Sequence, residues 1–267
     1  SIVNVVLDLV FVLCFDWAVF GVALATVFSQ AVSAIASIIY AFKKVPYFNL
    51  SKAELTPHKT IIINSFKLGV PISLQNSLIA ISCIVLQGVV NTFGETVMAA
   101  YTVTMRIEQL VQQPFSSLGM ALTSYAGQNF GAQRIDRVKK GMHRATFMVL
   151  IFSLIMLPIF YIFGDKIIYC FVKEQDVISI GAKALRITSL FYFFLGMIYA
   201  PRSLLNGCGD TTFSMINGIT EVVCRISFSL LFTSIATISI FGHTYNIGYW
   251  GIWLTTGLTW FTTALIC

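Results

Sequence analysis

The sequence predicts an all-α polytopic membrane protein, and three observations carry that prediction. The chain is 57% hydrophobic and 10% charged with a mean hydropathy of +0.84, whereas soluble domains are about 45–50% apolar and about 25% charged. So few charges cannot cover a surface of this size in water, and the same apolar richness excludes disorder. The apolar residues fall in runs of roughly 20, the length a helix needs to cross about 30 Å of hydrocarbon. The lysines and arginines behind the net charge of +6 gather in the connections between those runs, which is a membrane-topology pattern and not a nucleic-acid footprint.

Eight spans follow, each an apolar run bounded by charge, Gly or Pro. The first runs from the start to about Phe15 and is short; the second covers Trp17 to Phe42 and stops at Lys43 and Lys44. The third, Ile61 to Val90, precedes the polar Asn91 to Glu95. The fourth covers Val97 to Tyr125, the fifth Val138 to Phe163, the sixth Val177 to Leu205 and the seventh Phe213 to Ile240. The eighth begins near Tyr249 and reaches Cys267.

Basic residues in short loops resist translocation and so mark the cytoplasmic side. Lys43, Lys44, Lys52 and Lys59 lie between spans two and three, Arg134, Arg137, Lys139 and Lys140 between four and five, and Arg202 with Asp210 between six and seven. The opposite loops carry Asp16, Glu95, the balanced set Asp165, Lys166, Lys173, Glu174 and Asp176, and a nearly neutral stretch around His243. The expected location is the plasma membrane, multi-pass, with the basic loops cytoplasmic. The six cysteines, Cys14, Cys83, Cys170, Cys208, Cys224 and Cys267, form no C-x-x-C pair and read as packing residues. The first residue is Ser1, and the run it opens has neither a basic n-region nor a small-residue cleavage site, so the start reads as cut, not as a signal peptide.

The two ends of the chain resemble each other. Asn4 and Asp8 open span one as N-x-x-x-D, and Asn217 and Glu221 repeat that spacing in span seven. The next span begins at Gly21 through Thr26 in one copy and at Gly251 through Thr256 in the other. Six spans separate the copies, an even offset that gives parallel halves related by an axis along the membrane normal. On this reading residues 1–42 are the last two helices of an N-terminal bundle, 43–60 a cytoplasmic linker with Pro46, Pro57 and His58, and 61–267 a complete C-terminal six-helix bundle of a twelve-helix protein. Four helices are then expected upstream.

Charges and amides inside the bilayer are costly, so each is a functional candidate unless pairing or snorkelling explains it. Arg106 and Glu108 in span four are two apart and point to different sides of a helix. Gln109, Gln112 and Gln113 extend that polar stretch to Pro114, so the helix is expected to line a cavity and to kink at the proline. Snorkelling of Arg106 and Glu108 at the interface is the alternative. Span three contributes Pro71, Gln75, Asn76 and Gln87, amides that can bind a cation or join helix to helix. Glu221 and Arg225, four apart in span seven, can neutralise each other as a structural or gating pair. Asp8 has no basic partner in its own helix. The 23 Phe and 8 Met residues suit promiscuous apolar ligands or simply face lipid.

Gly207-Cys208-Gly209-Asp210 matches the G-x-G-D of intramembrane aspartyl proteases. That chemistry needs a second aspartate near the first to share one proton, and Asp8 and Asp16 belong to a different part of the chain. The motifs H-E-x-x-H, G-x-S-x-G and G-x-x-x-x-G-K-[ST] do not occur, nor does a T-V-G-Y-G filter. No enzymatic activity is expected.

Several stretches resemble the multidrug and toxic compound extrusion family, and its bacterial members in particular. They are Gly69-Val-Pro71 with Leu74-Gln75, Ala99-Ala-Tyr101 before Arg106-Ile-Glu108, Gln128 through Ala132, Arg202 with Leu205 through Thr211, and Tyr249 through Trp253. Each is weak alone; their order and spacing across most of the chain make the match. The resemblance implies two six-helix bundles around a cavity that faces alternate sides of the membrane and exchanges organic cations, drugs and dyes for sodium ions or protons. It implies no cofactor beyond that coupling ion, no nucleic acid partner, and a monomer when full length, with amphipathic cations and the bilayer as partners. It also places an important acidic residue on the first helix of the first half, which this chain lacks. In this half it points to Gln75, Asn76 and Asp210; amides cannot carry a proton, so ion coupling here would rest on Glu108 or Asp210. The alternatives are a lipid-linked precursor flippase of related two-lobed architecture, with Arg106, Arg186 and Arg225 facing a diphosphate, and a channel.

Overall fold

A computed structural model describes residues 2–15, 17–45, 56–234, 237–240, 243–246 and 248–267. The expected linker residues within 46–55, including Lys52 and Pro46, and the loop residue Asp16 lie outside the described residues. The chain divides into two compact units, Ser1–Ile62 and Ile63–Cys267.

In the first unit, α1 (Ile2–Leu9) runs into one π-helical turn, Val10–Cys14, and α2 spans Ala18–Lys44. Phe11, Phe15, Trp17 and Phe20 knot the joint, with ring centroids 5.4–6.1 Å apart. Gly21 is buried there because a Cβ would stand 2.9 Å from Phe11 Cβ. Lys43 and Lys44 close α2, where cations complement the helix dipole.

The second unit is built from α3 (Lys59–Val90, whose first turn belongs to the first unit), α4 (Glu95–Gly131), α5 (Ile135–Tyr169), α6 (Gln175–Ser189), α7 (Tyr192–Cys208), α8 (Thr212–Ser234) and α9 (Gly251–Ile266). A short antiparallel hairpin, β1 (Thr237–Ile240) and β2 (His243–Asn246), joins α8 to α9, with Thr237 opposite Asn246. Each predicted span thus falls mainly on helix, the sixth on two helices, and the all-α polytopic class holds. By length and composition four helices can cross a membrane, α2, α3 with its terminal turn, α5 and α8, and the pair α6–α7 makes a fifth.

Two expectations need correction. Span six is broken: α6 and α7 meet at 51° across Leu190 and Phe191. Span seven ends at Ser234, not Ile240, because the threonine- and glycine-punctuated segment beyond it pairs as a hairpin. Pro71 and Pro114 both lie inside continuous helix. At 37 residues, about 55 Å at 1.5 Å per residue, α4 is far longer than the bilayer and too polar to qualify as a span by composition alone. One face of it, including Glu108, is buried, and α5, α6 and α7 pack on it.

Close approach of α4 and α7 depends on small residues. A Cβ at Gly207 would collide with the Thr123 carbonyl, one at Gly127 would lie 3.1 Å from the Gly207 carbonyl oxygen, and one at Gly119 would meet the Ser203 hydroxyl. Thr123 Oγ1 donates to the Ser203 carbonyl at 2.8 Å across the same contact. This is the small-residue packing by which helices associate without a hydrophobic driving force. On the other side of α7, a Cβ at Gly257 of α9 would overlap the Phe191 ring, so Phe191, at the break of span six, sits in a notch cut into α9. Phe115, Phe160, Tyr192, Leu195 and Trp260 centre the main core.

Candidate functional site

A cavity of about 270 Å³ opens within the second unit, lined from α3, α4, α7, α8 and α9. Each helix turns a polar face toward it. α3 contributes Asn76 and Cys83, α4 Tyr101, Glu108, Gln109 and Gln112, α7 Tyr199 and Arg202, α8 Glu221 and Arg225, and α9 Thr256 and Trp260.

Glu108 is 4% exposed, and its Oε1 has no hydrogen-bond partner among the described residues. Tyr101, Tyr192 and Arg225 are its electrostatic neighbours, with Thr188 against the carboxyl. Glu221 and Arg225 form a buried ion pair at 2.6 Å on α8, in the i, i+4 order that suits the helix. Arg225 also donates from Nη1 to Cys83 Sγ at 2.9 Å. Arg202 has no acidic partner among the described residues and stands 4.7 Å over the Tyr199 ring, a cation–π contact; Tyr199 in turn donates to Gln112 Oε1 at 3.5 Å. The cavity therefore holds one cancelled pair and two separate charges of opposite sign.

The structure brings together Asn76, Glu108, Gln112, Arg202, Glu221 and Arg225 among the sequence candidates. It separates the others. Arg106 is exposed and faces away from the cavity, since two residues on a helix are about 200° apart. Gln75 is buried against Gly218 of α8, where its Cγ occupies the space a Cβ would need, so it packs helix on helix. Gln87 donates to Asn91 Oδ1 at 3.0 Å at the end of its own helix. Asp210 is exposed and caps α8 by accepting the Phe213 N–H at 3.4 Å, just after Gly209 ends α7 in the left-handed region at φ 90°. That capping role leaves Asp210 no place in an aspartyl dyad or in the cavity. Arg202, assigned to a cytoplasmic connection, lies inside α7. Pro71 and Pro114 lie within α3 and α4 and do not line the cavity. Cys83 and Cys267 are not mere packing: they accept hydrogen bonds from Arg225 and Asn217, each at 2.9 Å.

Sequence reasoning passed over Tyr199, Trp260 and Thr256. An aromatic three residues before an arginine on a helix signals a shared face, and it would have found Tyr199.

The comparisons with known proteins agree with this architecture. The MatE family model matches residues 71–231. The chain is 26% identical over 235 residues to "Probable multidrug resistance protein YpnP" of Bacillus subtilis (strain 168), covering 87% of this chain and 52% of that protein. It is 24% identical over 237 residues to "Multidrug export protein MepA" of Staphylococcus aureus (strain MSSA476), covering 86% of this chain and 51% of that one. The chain thus spans about half the length of the curated relatives it matches. It superposes with a TM-score of 0.89 and 22% identity on "Outward-facing conformation of a multidrug resistance MATE family transporter of the MOP superfamily", over 99% of this chain and 58% of that one. Family members are transporters and not enzymes, and with the model matching more than half of its length, this chain belongs to the MatE family.

Proposed function

We propose that this chain supplies the C-terminal lobe of a secondary antiporter that exports amphipathic cations, drugs and dyes in exchange for sodium ions or protons. The single observation behind this reading is Glu108: a buried carboxylate facing a polar and aromatic cavity, not ion-paired among the described residues, and so available to a cation. Aromatic rings in the same wall, Tyr101, Tyr199 and Trp260, suit the apolar body of such a molecule. The two lobes rock around the site, the basic loops face the cytoplasm, the membrane is the plasma membrane, and the full-length protein works as a monomer without a cofactor. The flippase reading needs Arg106, Arg186 and Arg225 to converge on a diphosphate. Instead Arg106 is exposed, Arg186 pairs with Asp165 at 2.7 Å and Arg225 with Glu221.

The test is ethidium transport into everted vesicles from cells expressing the full-length gene, energised by a proton or sodium gradient. Glu108→Gln is expected to lower transport at least 10-fold with the protein present at normal levels. Unchanged ion-driven transport in that variant would remove the proposal.

A further inference from the structure

The inward face of α8 is a polar ladder. Ser214, Asn217, Glu221, Arg225 and Ser229, spaced by three and four, are all buried. A buried helix stripe in lipid is ordinarily apolar or built from small residues. Across from it, α9 buries Thr255, Thr259 and Thr263 at four-residue steps, each 0% exposed. Three contacts place the faces together. Ser229 and Thr255 share a small cavity, Glu221 and Arg225 share the large one with Thr256, and Asn217 Nδ2 donates to Cys267 Sγ.

A helical threonine ordinarily donates to the carbonyl four residues back, as Thr256 does to Ile252 at 3.3 Å and Thr262 to Leu258 at 2.9 Å. Thr255, Thr259 and Thr263 do not. Their hydroxyls, and Asn217 Oδ1, have no partner among the described residues although all four side chains are fully buried. Buried polar atoms are paired with protein or with ordered water. The cavity beside Thr255 measures about 10 Å³, roughly the room one water needs. At the repeat's offset of 230 positions, Ser29 and Ser33 stand where Thr259 and Thr263 stand in α9, while Ala25 stands in place of Thr255.

We propose that the α8–α9 seam is a built hydration site, in which internal water, beginning with one molecule in the cavity at Thr255, bridges Asn217, Thr255, Thr259 and Thr263 to the Glu221–Arg225 pair. The waters give each ion of the pair an alternative partner, so the pair can open and re-form inside the protein without leaving a bare buried charge. This role stands apart from the identity of the exported molecule and from the part played by Glu108.

Radiolytic hydroxyl labelling of the purified full-length protein, read by mass spectrometry, tests the proposal, because water trapped beside a side chain oxidises it in place. Phe232 lines the small cavity and Phe160 sits in the apolar core; both are buried. Phe232 is expected to label several-fold faster than Phe160, and Thr255→Val to bring the two rates together. Equal rates in the unmodified protein would overturn the proposal, a result that needs no variant to fold. Thermal unfolding supplies an independent sign. If water fills the seam, Thr259→Val and Thr263→Val each lower Tm by about 2–4 °C; a rise would show dry, unsatisfied hydroxyls and refute it. A Tm raised by sodium chloride over choline chloride, and lost in these variants, would place a cation in the seam and overturn the assignment to water.

Discussion

Glu221 and Arg225 are the side chains for which stability and activity make opposite demands. Removing one ion of a buried pair leaves the other uncompensated, which costs about 3–5 kcal/mol, whereas replacing both with apolar residues is often neutral. Arg225→Ala is therefore expected to lower the unfolding midpoint sharply in a detergent-solubilised thermal assay, and the double variant Glu221→Leu/Arg225→Leu to recover most of that loss while transport stays impaired. The pair was legible because i, i+4 spacing fixes a shared face without any tertiary knowledge. For Arg106 and Glu108 the spacing showed only that they face different sides of the helix; packing decides that Glu108 is the one facing the cavity. Gln75, Gln87 and Asp210 were not legible: whether an amide meets a neighbouring glycine, its own helix end or a cavity is decided by tertiary packing, and Asp210 turned on one cap hydrogen bond.

At the scale of helices, the α4–α7 contact is set by missing side chains. Gly207→Leu drives its side chain into the Thr123 carbonyl and is expected to destabilise by about 1–3 kcal/mol or more through overpacking. Gly88, in the interior of α3 with nothing within 4 Å of its Cβ position, is the matched control. Gly88→Ala should be neutral or stabilising by about 0.4–1 kcal/mol, and chemical or thermal denaturation of the two variants side by side checks both signs. Hydropathy located the helical segments but missed the break in span six and misplaced the ends of α4, α5 and α8. Nothing at Leu190 and Phe191 marks the 51° bend, since the prolines lie elsewhere. The length of α4 was equally hidden, because its polar turns continue past the apolar run that hydropathy detects.

For the whole molecule, the proposed orientation can be read from outside the cell. In a background without the six native cysteines, Arg137→Cys and Lys173→Cys place single thiols at exposed positions before and after the apolar length of α5. A membrane-impermeant maleimide added to intact cells expressing the full-length gene should label Lys173→Cys and spare Arg137→Cys; the reverse pattern would invert the topology. Counting loop charges yields this orientation without tertiary knowledge, because loop bias does not depend on how the helices pack. The internal repeat has one parallel in burial. Gly21 and Ala25 are the buried residues of α2, and their counterparts Gly251 and Thr255 are buried in α9, so the two copies present the same side of a helix inward. What Phe191 does in its notch reaches further than packing. It is the elbow of the broken span, seated like a tooth in a gap of the last helix. Any change in the bend must either turn α9 with it or pull the ring free, so the elbow and the α9 face that meets the Glu221–Arg225 pair move as one latch.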